Sequence, residues 1–177
     1  MSGTHQGSSP WHPRFNNQVT LGDTVANQGM FPTPHVYVAS SWRNQFQPNV
    51  VQALRAAGYA VYDFKNPNGE KGFAWSDIVD DNHDSVSTTE YLDIIAHPLA
   101  DKGFQRDMNA LFASDIVVLV LPCERDAHLE LGWAVGAGKQ THILLDNPCK
   151  ASLMYKMVDF IHPTLEDLLV TLGDADA

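Results

Sequence analysis

The chain is predicted to be a three-layer α/β domain around an open, mostly parallel sheet, and three observations predict it. Asp115-Ile-Val-Val-Leu-Val-Leu121 is a continuous β-branched and aliphatic run, the pattern of a strand buried on both faces. His35 to Asp63 reads strand, helix, strand, which calls for a right-handed parallel crossover. Beyond the central run, short apolar segments keep alternating with helical patterns to the end of the chain. About five strands result, in a Rossmann-like or flavodoxin-like arrangement.

Residues 1–34 are rich in Gly, Ser, Asn, Gln and Pro without period, so a flexible N-terminal arm is expected ahead of one domain over 35–177. His35-Val-Tyr-Val-Ala39 is the first strand, followed by a turn over Ser40-Ser-Trp-Arg-Asn44. Gln45 to Ala57 carries Phe46, Val50, Val51, Leu54 and Ala57 at helical spacing, and Gly58 closes that helix. Tyr59 to Asp63 is the second strand. From Phe64 to His97 the chain is polar and studded with aromatics, with a turn at Asn66-Pro-Asn-Gly69. So long a stretch without clear period reads as a functional loop, a lid over the site.

Leu99 to Ala113 is helical, with Leu99, Phe104, Met108, Leu111 and Phe112 as its apolar positions. The central strand follows, then a helix from Ala127 to Ala137 with Asp126 as N-cap and Gly138-Lys139 as its stop. Thr141 to Leu145 is a fourth strand. The chain closes with a helix through Ser152 to Met157, a strand around Asp159 to His162 and a helix from Thr164 to Leu172.

Composition excludes several classes. Eleven basic against 21 acidic residues give a formal net charge of −10, which opposes binding to polymeric nucleic acid or anionic membranes. No segment has a signal-peptide pattern or transmembrane length. Two cysteines, Cys123 and Cys149, are too few for a disulfide framework or a cysteine-rich zinc site, and a cytoplasmic protein is expected. Eight histidines show no metal-binding spacing, and the Asp80-Asp-Asn-His-Asp84 cluster lacks the Gly and terminal Glu of a calcium loop. Gly132, Gly136 and Gly138 do not form a dinucleotide fingerprint, so neither a metal nor a cofactor is expected.

The residue to explain is Glu130, a carboxylate among Leu129, Leu131, Trp133 and Ala134 on the helix that follows the central strand. Open sheets bind ligands beyond the carboxyl ends of their strands, and the helix dipole there favours an ionised carboxylate. A supporting role in a cap or salt bridge is the plainer alternative. Ser40, Ser41, Arg43, Asp63, Glu124 and Asp126 project from the same strand ends, and Asp107 adds a second acid from the preceding helix. Ser40, Ser41 and Arg43 could hold an anion; otherwise Arg43 pairs with an acid such as Asp63 and the serines cap the helix. Trp42 and Trp75 stack on a base or simply pack. Cys123 reads as a small packed hydrophobe near the site.

In this order the motifs resemble the nucleoside 2-deoxyribosyltransferase family and its nucleoside 5′-monophosphate N-glycoside hydrolase relatives. Val36-Tyr-Val-Ala-Ser-Ser41 is similar to the family's first strand and substrate loop, with Tyr37 at its tyrosine. Arg106-Asp-Met-Asn109 before Ala113-Ser-Asp-Ile-Val-Val118 resembles the Asp-x-Asn helix and central strand. His128-Leu-Glu-Leu-Gly-Trp-Ala134 with Gly138-Lys139 resembles the nucleophile helix, and Ser152-Leu-Met154 a segment lent to a neighbouring subunit. The stretch before the nucleophile is shorter than the family's.

The resemblance implies cleavage or transfer at an N-glycosidic bond, with Glu130 attacking the anomeric carbon and Asp107 handling the proton of the departing base. It places Tyr37 and Asn109 in the substrate site and Asp126, with Glu124 as rival, at the sugar hydroxyls. Ser152 and Met154 would complete the pocket of a partner in a homodimer or higher homo-oligomer. Ser152, where the transferases often carry asparagine, tilts the expected substrate from nucleoside toward nucleotide. Two alternatives stand beside this reading: an NAD glycohydrolase of Toll/interleukin-1 receptor-like type, and a non-catalytic nucleotide-sensing module.

Overall fold

The structure is a computed structural model and describes residues 33–79 and 86–175. The expected arm lies outside the described residues except for 33 and 34, as does the acidic cluster 80–84. Five strands form one sheet: β1 (His35–Ala39), β2 (Ala60–Asp63), β3 (Ile116–Val120), β4 (Gln140–Leu144) and β5 (Phe160–His162). Their order is β2-β1-β3-β4-β5 and every neighbouring pair is parallel. The helices are α1 (Gln47–Ala56), α2 (Thr88–Ile95), α3 (Pro98–Ala113), α4 (Arg125–Gly136) and α5 (Leu165–Ala175). This is the three-layer open sheet that the sequence predicts.

Strand alternation sorts the core into two layers. Val36, Val38, Ile116, Val118, Val120 and Leu144 point to one face, where they meet Val50, Val51 and Leu54 of α1 and Leu168 and Leu172 of α5. Tyr37, Ala39, Val117, Leu119 and Ile143 point to the other, against Leu111 of α3 and Ala127, Leu131 and Ala134 of α4. Each large aliphatic side chain buried this way contributes about 1.5–3 kcal/mol relative to exposure. The chain leaves β1 toward β2 on one side and returns to β3 on the other, so the topological switch lies between β1 and β3.

Two local expectations are revised. The stretch from Phe64 to His97, read as one loop, contains α2, which opens on a capping box between Ser87 and Glu90. Phe73 of the same stretch lies so close over Gly103 of α3 that a Cβ there would meet its ring at 2.7 Å, so the Phe73 segment is docked on the helix. The helix expected through Ser152 to Met157 is a 3-10 turn, Leu153–Met157. None of its residues is buried, so no packed face drives a full α-helix.

On the α1/α5 face the sheet carries a buried polar pair. His142 Nδ1 lies 2.9 Å from His162 Nε2, both rings are buried, and His142 stacks on Phe160 with centroids 4.9 Å apart. Burial and the neighbouring imidazole push His142 down to about 4, and burial lowers His162 as well. The unfolded chain takes up protons below about pH 6.5 that the folded pair refuses, so stability present above that pH is lost as the pH falls toward 4. We expect a loss on the order of 2 kcal/mol, read as a lower thermal midpoint between pH 6.5 and 4. In the His142→Phe/His162→Phe double variant that part of the pH slope should flatten.

Candidate active site

The site begins with two tyrosines in register. Tyr37 of β1 and Tyr62 of β2 are direct partners across the parallel ladder, and their rings stack with centroids 5.3 Å apart at 17°. Each hydroxyl donates to one carboxyl group on the helices above. Tyr37 donates to Glu130 Oε1 of α4 at 2.8 Å, and Tyr62 donates to Asp107 Oδ1 of α3 at 2.5 Å. The two carboxyls are therefore held side by side on the α3/α4 face, over the β1 and β2 strands.

Their surroundings shift both groups toward the protonated form. Burial raises Glu130 to about 7, with Asp107 and Asp126 adding to the rise and the Tyr37 hydrogen bond opposing it. Burial also raises Asp107, against the pull of the Tyr62 hydrogen bond and the Arg106 guanidinium. Burial and the neighbouring carboxylates raise both phenols in turn. The expectation that the helix dipole keeps Glu130 ionised is thus revised. Glu130 stands in the second turn of α4, beyond the first-turn reach of the dipole, and desolvation wins.

Around this pair the expected residues divide. Asp126, expected as N-cap, is an exposed residue inside the first turn, because α4 starts at Arg125 with Glu124 in the extended N-cap position. The Glu124 carboxylate accepts from the Ser41 hydroxyl at 3.2 Å and lies 3.5 Å from Arg43 Nη1. Arg43 therefore pairs with Glu124 and not with Asp63. Ser40 donates to the Val120 carbonyl at 2.8 Å, tying β1 to β3 at the switch point.

Asp63 is buried and accepts from Gln47 Nε2 at 2.9 Å and from the Lys65 backbone at 3.1 Å, a brace for the turn after β2. Asn109 is exposed, two residues beyond Asp107 on α3, and Ser152 and Met154 are exposed on the 3-10 turn. Trp42 and Trp75 each sit in an edge-to-face pair, with Phe64 and Phe73 respectively.

Three contributors went unsingled in the sequence. Tyr62 anchors Asp107, and only the cross-strand register, which pairs it with Tyr37, could have pointed to it. Asn44 is buried and ties the β1 turn together: its Nδ2 donates to the Pro122 carbonyl at 3.0 Å, and its Oδ1 accepts from the Phe46 backbone at 2.7 Å. His128 joins α4 to the 3-10 turn, its Nε2 lying 2.8 Å from the Tyr155 hydroxyl and its Nδ1 2.9 Å from the Glu124 carbonyl. Cys123 lies 3.5 Å from that ring, and burial pushes its thiol up to about 12, which keeps it a packing residue. Among the described residues no group of three or more His, Cys, Asp or Glu is placed to hold a metal ion.

Fold and site together define an open-sheet α/β protein with a tyrosine-anchored pair of carboxyls above the sheet. No protein-family model matches the chain, and no curated protein matches it. Among solved structures, it is similar to a 2-deoxyribosyltransferase from Bacillus psychrosaccharolyticus at 18% identity, over 76% of this chain and 90% of that one, with a TM-score of 0.47. It is also similar to the CMP N-glycosidase of Clostridium botulinum at 16% identity, over 78% and 98%, with a TM-score of 0.47. A conserved protein from Enterococcus faecalis V583 shares the fold at 13% identity, over 81% and 99%, with a TM-score of 0.50.

Proposed function

We propose that this protein cleaves or transfers the N-glycosidic bond of a nucleoside or nucleoside 5′-monophosphate, with Glu130 as nucleophile and Asp107 as proton donor. The observation that carries the reading is the pair itself: two carboxyls, both buried enough to be raised, each oriented by its own phenol. Titratable groups perturbed this way beside a sheet switch point are what bond cleavage between a sugar and a base requires.

Tyr37 occupies Glu130 Oε1, so Oε2 is assigned the attack on the anomeric carbon. The bonding pair of the glycosidic bond leaves with the base, and the Asp107 proton passes to a base nitrogen. A covalent glycosyl–Glu130 ester remains, and the oxocarbenium-like charge on the way to it is stabilised by the adjacent carboxylate. Water or a second base then attacks the same carbon and frees Glu130. Glu130 must be ionised and Asp107 protonated, so the active form is the singly protonated pair with its proton on Asp107; burial raises Glu130 the more strongly of the two, so this is the minor arrangement of that proton before substrate binds.

The same reading has Asn109 and Asp126 near the substrate and has Ser152 and Met154 complete a partner's pocket in a homodimer. Leu153 and Met154 are 79% and 59% exposed, an apolar tip for such a contact. It also places the protein in the cytoplasm. Among the described residues no helix is long and apolar enough to cross a membrane.

Incubation with deoxynucleosides, their 5′-monophosphates and NAD, followed by chromatography for free base, tests the activity. Release of a purine or pyrimidine base supports it; release of nicotinamide alone, or of nothing, overturns it. Arg43 is the cation assigned to a 5′-phosphate, and Glu124 now sits beside it. We therefore expect Glu124→Gln to lower KM for a monophosphate by about fivefold, the effect of ~1 kcal/mol, and to leave KM for the nucleoside unchanged.

A further inference from the structure

Arg106 precedes Asp107 on α3, and its Nε stands 3.7 Å from Asp107 Oδ1, beyond hydrogen-bond length. Its Nε and Nη2 are enclosed by protein and make no hydrogen bond among the described residues. Buried donors of a fixed cation left without an acceptor are costly, and such a cost at a site calls for a partner state in which they are used. The nearby acceptors are the Tyr62 hydroxyl oxygen and Asp107, whose Oδ1 already takes that hydroxyl's proton in a 2.5 Å hydrogen bond. We propose that Arg106 is a positioning residue for the acid: its sealed donors close on the carboxylate that Asp107 becomes when its proton goes to the departing base.

The inference rests on the proposed glycosidic chemistry and adds to it a reason why a buried carboxyl gives its proton up. At 3.7 Å the guanidinium stands beside Asp107 without a hydrogen bond, close enough to respond to a charge on it. Once the proton has moved to the base nitrogen, the carboxylate and the guanidinium, both half-buried, attract as opposite charges, and a shortening of a few tenths of an ångström makes a charge-assisted hydrogen bond. No atom is added or lost in this step: the proton moves from Asp107 to the base, and the arginine keeps all of its own. When water or an acceptor base completes the cycle, its proton returns to Asp107 and the pair opens again.

The groups that act on Asp107 come from every element packed against it. Tyr62 of β2 and Arg106 of α3 favour its ionised form, whereas Glu130 of α4, held by Tyr37 of β1, is a second carboxyl that opposes two negative charges in one place. Removing the guanidinium therefore raises the proton affinity of Asp107, and replacing it with another cation largely restores it.

Two readouts isolate the effect. The first compares cleavage of an ordinary substrate with cleavage of its ring-N-methylated, cationic counterpart, whose base departs without a proton. Both need ionised Glu130, so the ratio of their kcat/KM values follows the protonation of Asp107 alone. With rising pH that ratio falls in the wild type. In Arg106→Gln the fall should move upward by about one pH unit, a tenfold change in proton affinity, and Arg106→Lys should bring most of it back. A ratio profile unmoved in Arg106→Gln overturns the proposal, as does a loss confined to 5′-monophosphates, which would make Arg106 a phosphate ligand.

The second readout needs no turnover: carbon NMR of the Asp107 carboxyl in Glu130→Gln and in Glu130→Gln/Arg106→Gln. An upward shift of about one pH unit in the double variant supports the proposal, and coincident titrations overturn it. Absence of base release from the wild type would count against the glycosidic reading, whereas coincident titrations would count against the arginine.

Discussion

Glu130→Gln is expected to abolish base release and at the same time to stabilise the fold. The amide keeps the shape of the side chain and an oxygen for the Tyr37 hydroxyl, now 2.8 Å away, but it cannot attack an anomeric carbon to form an ester. A loss of at least ~10³-fold in kcat is expected, with KM altered little. Stability should move the other way. Glu130 is raised from its ordinary 4.5 to about 7 by burial, so the folded state binds a proton more tightly than the unfolded chain. The resulting stabilisation is fully present below about pH 4.5 and is lost as the pH rises through 7, where the carboxylate must ionise in place. At pH 8 the wild type thus carries a penalty on the order of 2 kcal/mol that the amide escapes. Thermal melts should show the variant roughly 5 °C higher at pH 8 and the gap closing toward pH 4.5. A side chain with only a packing or capping role would give neither the loss of activity nor this pH-dependent gain.

The second large effect is expected at Asp107. Asparagine still accepts the Tyr62 hydroxyl bond but has no acidic proton, so Asp107→Asn should slow release of ordinary bases by about 10²–10⁴-fold. The ring-N-methylated substrate, whose base leaves neutral, should be cleaved within a few-fold of the wild-type rate. That contrast separates an acid from a residue that merely shapes the pocket, because a shape defect slows both substrates alike. The alkaline limb should also change. The wild-type rate should fall above about pH 7, where Glu130, raised by burial, and with it the pair, loses its last proton. In Asp107→Asn acting on the cationic substrate only ionised Glu130 is needed, so activity should rise through neutrality and stay high.

Much of this arrangement was legible before any coordinates. The buried run over β3, the crossover from β1 to β2 and the helix carrying Glu130 follow from periodicity, because strands and amphipathic helices leave local patterns. Tyr37, Glu130 and Asp107 were each identified as candidates, and the fold brings all three to the α3/α4 face. What could not be read is set by long-range geometry. Tyr62 earns its place through register with a strand 25 residues earlier, and neither tyrosine announces the other. Residue type favours Asp126 as the cap of α4, yet Glu124 stands at the N-cap with its carboxylate turned to Ser41 and Arg43, partners that lie more than 80 residues earlier in the chain. Glu130's proton affinity escapes the sequence for a related reason. The helix dipole acts locally, whereas desolvation depends on what α3 and the sheet place around the carboxyl. The Ser87–Glu90 capping box, by contrast, was in plain view inside a stretch read as loop.

The pair also explains why such a site is costly to keep. Two carboxyls and two phenols share one largely enclosed patch, each raised chiefly by burial, and the hydrogen bonds from Tyr37 and Tyr62 to the carboxyls offset only part of that desolvation. Stability given up at a cluster of this kind is expected where chemistry needs groups with displaced proton affinities.

The most direct measurement is intact-protein and peptide mass spectrometry after acid quench of the protein mixed with each nucleoside and nucleotide from which free base is released. The account predicts a transient mass increase equal to the sugar moiety, with its phosphate where present, located on the peptide that carries Glu130 and absent from Glu130→Gln. Turnover with no adduct on that peptide under conditions that outpace its hydrolysis, or an adduct on a different side chain, would contradict it.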